Sequence, residues 1–203
     1  MPILRQRGRE DAAAKWANVG AAMGLTRKVL RVGRPIGITK GIFDRLAAAS
    51  QKPEENRMVL PKTLGDLSLT LFFLCDHVVL LHKMLEWTPP PRFDYLSNFF
   101  WLLECCFTVI HEVDAISHRE SVINALRKSM GDKRQAKDEL DVLKAKVRKL
   151  EIEQFWARLN VLRCVLDIPI CLNLLGYKQI PDGFSGLLGT LTSGISLYTL
   201  LNK

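Results

Sequence analysis

Ionisable side chains stand inside the most apolar stretches of this chain, where such a group is expensive enough to need a reason. Asp76 and His77 fall at the centre of the run from Leu67 to Leu85, and His82 lies near its end. Glu104 and His111 occur between Leu96 and Val113, and Arg163 and Asp167 between Leu159 and Leu175. Brought together in a helical bundle, they could form a catalytic or metal centre, line a polar path, or neutralise one another. Spacing argues against the first use. A di-iron carboxylate centre needs Glu-x-x-His pairs, and none occurs. His-Glu-x-x-His, Gly-x-Ser-x-Gly and Gly-rich phosphate loops are also missing from the sequence. The five cysteines, Cys75, Cys105, Cys106, Cys164 and Cys171, all sit in apolar stretches without a Cys-x-x-Cys. An odd number in such surroundings suggests small apolar residues in a reducing compartment, not a disulfide framework or zinc site. No catalytic residue, metal ligand or cofactor is therefore expected, and the chain does not read as an enzyme. The expected use of the buried charges is an ion pair between Asp76 and Arg163.

The elements that must hold these groups are helical, and the expected fold is all-α. The clearest is C-terminal: Phe184 to Leu201 contains no charge and is long enough as a helix to cross a hydrocarbon layer of roughly 30 Å. Gly186, Gly189 and Ser193 recur on one side of it, and small residues let a second helix approach closely in lipid. The runs 67–85 and 96–113 are separated by Trp87-Thr88-Pro89-Pro90-Pro91 and predict an antiparallel apolar hairpin. A second apolar hairpin is expected from 159–175, a turn over 176–183, and the C-terminal helix. Between them, residues 114–158 predict a charged helix or helix pair interrupted near Gly131. Leu140, Leu143, Val147 and Leu150 give its apolar stripe, too short to specify a coiled coil. The expected organisation is thus one membrane-associated helical domain over 1–203. Its parts are a basic region 1–66, an apolar hairpin 67–113, a charged region 114–158, and a C-terminal hairpin 159–203.

Near the start, residues 9–32 carry no proline, and Ala12, Trp16, Val19, Met23 and Leu30 recur at helical steps. Lys15, Lys28 and Arg31 lie at the edges of or off that stripe. A basic amphipathic helix of this kind can lie in a membrane interface, its apolar side in the acyl boundary. A second helical piece over 37–49 presents Ile38, Ile42, Phe43 and Leu46.

Charge supports a membrane setting. The net charge is +8, and residues 1–66 hold thirteen Lys/Arg against six Asp/Glu, while 114–158 hold eleven against eight. The connection 86–95 has only Arg92 and 176–183 only Lys178. Four spans would place both basic regions and both termini on the cytosolic side. Asp76, Glu104 and Arg163 leave the number of spans between one and four. A basic surface suits anionic lipid heads, and no nucleic-acid-binding motif accompanies it. No apolar segment follows the basic start as a secretory signal would require.

Several segments resemble the peroxin-11 family. Gly8-Arg9-Glu10-Asp11 is similar to its Gly-Arg-(Asp/Glu)-Lys opening, with Asp11 in place of lysine. The basic stretch Thr26 to Arg34 looks like the family's Arg/Lys-rich segment, and Leu74-Cys-Asp-His-Val-Val-Leu80 like its Asp-His/Asn-containing apolar segment. Asp167-Ile-Pro169, Gly186-Leu-Leu-Gly189 and Ser193 to Tyr198 are similar to its C-terminal end. The resemblance covers nearly the whole chain in order. It implies a self-associating integral protein of the peroxisomal membrane, or of a related microbody such as the glycosome. Such a protein elongates the organelle, helps engage the fission machinery, and so drives proliferation. Two other readings of the residues remain open here: a small metabolite channel lined by Asp76, His77, Glu104 and Arg163, and a soluble helical adaptor.

Overall fold

A computed structural model describes residues 26, 29, 31–51, 58–85, 87–88, 91–132 and 137–202. Five helices carry this part of the chain: α1 (Arg34–Gln51), α2 (Val59–Met84), α3 (Pro91–Asp132), α4 (Lys137–Leu174) and α5 (Asp182–Asn202). Among the described residues there is no strand. Each helix packs chiefly on its neighbour in sequence, so the order in space is α1, α2, α3, α4, α5.

Breakers rather than hydropathy set the ends. Pro35 falls in the first turn of α1 and Pro61 in that of α2, where a missing N–H removes no helical bond. Nothing between Pro91 and Gly131 is Gly or Pro, and α3 runs on for 42 residues. The border expected at 113/114 therefore lies inside a continuous helix, and that at 158/159 lies inside α4 in the same way. Pro169 is also internal to α4, which continues to Leu174 around it. The last helix extends the expected 184–201 by only two residues at its start and one at its end. Gly176 supplies the turn before it with a φ of +80°, a left-handed backbone that glycine adopts without strain.

The long α3/α4 hairpin has two characters. Toward its tip, Ile123 and Val147 are buried between the helices, while Arg127 and Glu151 pair at the surface at 2.6 Å. Part of the expected apolar stripe over Leu140–Leu150 thus serves packing within the chain. Toward its base, the core is unusually small in side-chain volume, and Val79 of α2, Cys105 of α3, and Cys164 and Cys171 of α4 are its largest fully buried side chains. Gly65 of α2 allows close approach there: a Cβ would stand 3.4 Å from that of Phe107.

Candidate functional site

Large apolar side chains face outward where a water-soluble bundle would place polar ones. Leu67, Leu74 and Leu81 recur every two turns along α2 and are all exposed, as are Leu187, Leu191, Leu197 and Leu200 on α5. Leu162, Val165 and Leu174 continue this surface on α4. So extensive an apolar surface marks an interface with protein or lipid. Among the described residues two helices, α2 and Gly183–Asn202 of α5, are long and apolar enough to cross a membrane, and the α5 window is only 11% buried within the chain.

Several hydroxyl groups on these helices are satisfied locally, as a lipid-facing helix requires. Ser68 and Thr70 donate to the carbonyls of Leu64 and Asp66. On α5, Thr190, Ser196 and Thr199 donate in the same manner to Gly186, Thr192 and Ile195. Aromatic residues gather at both ends of the apolar region. Tyr95 and Tyr177 share a hydrogen bond of 3.1 Å near one end, and at the other the rings of Trp156 and Tyr198 lie 5.9 Å apart. From Trp156 to Leu174, α4 rises about 27 Å at 1.5 Å per residue, close to the thickness of a hydrocarbon layer. Tyrosine and tryptophan at those two levels suit the two membrane–water interfaces.

Helix α1 lies against α2, pinned by an ion pair of 2.7 Å between Arg45 and Asp66, with Lys62 at 3.2 Å on the other carboxylate oxygen. Its outer side exposes Ile36, Phe43 and Leu46, and Val29 and Val32 before it are also exposed. Arg34 and Lys40 are exposed on the same helix. The amphipathic segment expected over 9–32 lies mostly outside the described residues, including Lys15, Trp16, Val19, Met23, Lys28 and Leu30. Arg31 is described, and its guanidinium stands 6.0 Å from the ring centre of buried Phe73 on α2. That position is within cation–π range and turns Arg31 toward the protein.

The ionic core differs from the expected pairing of Asp76 with Arg163. Both side chains are at least partly buried, but the carboxylates around Arg163 belong to Glu104 on α3, at 3.4 Å, and Asp167 one turn along α4, at 3.8 Å. The reason is topological: α3 stands between α2 and α4 in the packing order. Thr108 donates to Glu104 at 3.1 Å, and Asn160 links the same two helices by donating to Glu112. Glu104 and Asp167, 5% and 4% exposed, each lie within 4 Å of the Arg163 guanidinium. Beside them Cys105 and Cys164, with Glu104, bring three potential ligand atoms within 4.8 Å of one another, a grouping the sequence reading had not foreseen. The one detectable signal was the seven-residue interval from Cys164 to Cys171, which puts both thiols on one side of a helix.

Gly186 and Gly189 meet nothing within 4 Å of a Cβ placed on them, and Ser193 is exposed. Instead α5 packs on the rest of the chain through Leu188 and Thr192, both buried. The small-residue side of α5 is thus left open by the chain's own packing.

Among families of known proteins, the one described as peroxisomal biogenesis factor 11 (PEX11) matches residues 2–201. Neither the curated proteins nor the solved structures contain a match.

Proposed function

The chain belongs to the peroxisomal biogenesis factor 11 family, and we propose that it shapes the organelle membrane by wedging amphipathic N-terminal helices into one leaflet while its apolar helices anchor it. Membership in a family of peroxisomal biogenesis factors implies a role in peroxisome proliferation and division. The finer mechanism rests on one observation above all. Helix α1 carries exposed Ile36, Phe43 and Leu46 beside exposed Arg34 and Lys40, yet is tied to apolar α2 by the Arg45–Asp66 pair. A helix with these two faces enters the headgroup–acyl boundary, with lysine and arginine on anionic heads. Its volume expands one leaflet relative to the other and favours curvature. The segment with Trp16, Val19, Met23 and Leu30 extends the same wedge, with Lys15 and Lys28 as its basic edge, while Arg31 stands over Phe73 of α2. In this reading the protein is integral to the peroxisomal or related microbody membrane, with both basic regions and both termini cytosolic. Copies associate through the open Gly186, Gly189 and Ser193 side of α5, which concentrates the wedges, and the fission machinery acts on the elongated membrane.

The test uses the full chain reconstituted in vesicles containing anionic phospholipid, with tubulation scored by electron microscopy. Phe43→Glu and Met23→Glu are each expected to abolish tubules while alkaline carbonate still leaves the protein in the membrane. Undiminished tubulation by both variants would remove the wedge from the mechanism.

A further inference from the structure

We propose that the base of the α3/α4 hairpin is a zinc site, with Cys105, Cys164 and Glu104 as ligands. The three side chains offer ligand atoms that all lie within 4.8 Å of one another and are buried. The Cys105 Sγ and Glu104 Oε2 are 3.5 Å apart. Ligands at about 2.3 Å for sulfur and about 2.0 Å for oxygen on a tetrahedral ion are separated by about this much. Cys171, wholly buried two turns further along α4, interacts with the Cys105 thiol but lies outside this grouping. Thiolate sulfur with one carboxylate in a tetrahedral arrangement selects zinc over the hard cations magnesium and calcium.

Charge balance is compatible with a divalent ion. With both thiols protonated, Glu104, Asp167 and Arg163 leave the cluster with one net negative charge. Zinc binding releases two thiol protons and adds two positive charges, so the net buried charge is unchanged. Arg163 need not leave. Its Nη2 donates to Cys164 Sγ and to Glu104 Oε1, each at 3.4 Å, which is how groups behind a metal's ligands hold them in place. Its side chain is 27% exposed, whereas those of Glu104 and Asp167 are nearly buried. The bound ion ties α3 to α4 at residues 59 apart in the chain and fixes the register of the hairpin that carries the charged tip.

The test begins with untagged full-length protein in detergent micelles, carrying Cys75→Ser and Cys106→Ser to remove the two thiols outside the cluster. After chelation, cobalt(II) titration is expected to give the intense visible absorption of a tetrahedral cobalt thiolate at one ion per chain, and zinc should displace it. Adding Cys105→Ser or Cys164→Ser should abolish the absorption, and Glu104→Gln should weaken binding at least tenfold, with helicity followed by circular dichroism. X-ray absorption of the zinc-loaded protein with its cluster intact should show at least two sulfur ligands, a result independent of whether the variants fold. A protein without the tetrahedral cobalt signature, or zinc with fewer than two sulfurs, overturns the proposal. So does absorption that persists in folded Cys105→Ser and Cys164→Ser proteins.

Discussion

Replacing Arg163 by methionine should destabilise the α3/α4 hairpin. The substitution keeps the apolar stem and removes the guanidinium from two carboxylates that are 5% and 4% exposed. Breaking a buried ion pair from one side costs about 3–5 kcal/mol, because the surviving charge has lost its partner. Two features lower the expectation here. The contacts are 3.4 and 3.8 Å, and the arginine side chain keeps 27% of its exposure, so solvent screens part of the attraction. Protonation of one stranded carboxylate also offers relief. We therefore expect a loss of about 2–3 kcal/mol, measured by denaturant titration of micelle-bound protein with helicity as the signal. Adding Glu104→Gln and Asp167→Asn should recover most of it, since the triple variant leaves no unpaired charge. The cycle of Arg163→Met with Glu104→Gln should yield a coupling of at least about 1 kcal/mol, well above the ~0.5 kcal/mol typical of independent sites. A loss below ~0.5 kcal/mol with no coupling would refute the assignment of Arg163 as the counter-charge of the core.

Gly186→Leu with Gly189→Leu should leave membrane insertion and unfolding stability of the single chain unchanged, because a Cβ at either position meets nothing within 4 Å. Cross-linked oligomer and organelle elongation should fall relative to Leu187→Ile on the exposed side, and equal values would make the glycine side incidental. Leu188→Ala, by contrast, removes the buried contact of α5 and should cost about 2–4 kcal/mol in the same denaturant titration. Gly65→Leu should lose about 1–3 kcal/mol by overpacking α2 against Phe107 and Thr108, while a silent result would mean that the two helices separate freely. Alkaline carbonate should leave the wild-type protein with the membrane, and its release would end the reading of α2 and α5 as spans.

Which parts of this architecture were legible in the sequence follows from how local their causes are. The C-terminal helix was legible because a charge-free run and flanking breakers, Pro181 before it and Asn202 near its end, act on the same short segment. The long hairpin was obscured because hydropathy changes near residues 113 and 158 whereas the backbone has no reason to stop there. Helix formation depends on the lack of Gly and Pro, not on continuity of polarity. A division by composition therefore cut two helices that the chain keeps whole. The ionic core failed differently. Arg163 and Asp167 are visible as an i, i+4 pair, but Glu104 lies 59 residues from Arg163 and joins them only through the register of α3 on α4.

That register also explains how one hairpin can be apolar at its base and charged at its tip. Ion pairs across the tip, such as Arg127–Glu151, are exposed and contribute little, about 0–1 kcal/mol each. They cannot choose between neighbouring registers by themselves. At the base a shift by one turn would carry Arg163 away from Glu104 and leave both near-buried carboxylates short of a cation, at several kcal/mol. The polar residues that weaken α3 and α4 as membrane helices are thus the ones that fix their alignment. The α3 and α4 segments that tolerate Glu104, Arg163 and Asp167 do so because they are paired side by side, whereas α5, which is packed on one side only, has no charged residue from Gly183 to Asn202. Charge is kept where a partner helix supplies its counter-ion and absent where lipid would be the neighbour, which is the distribution expected if the base of the hairpin enters the membrane as a unit.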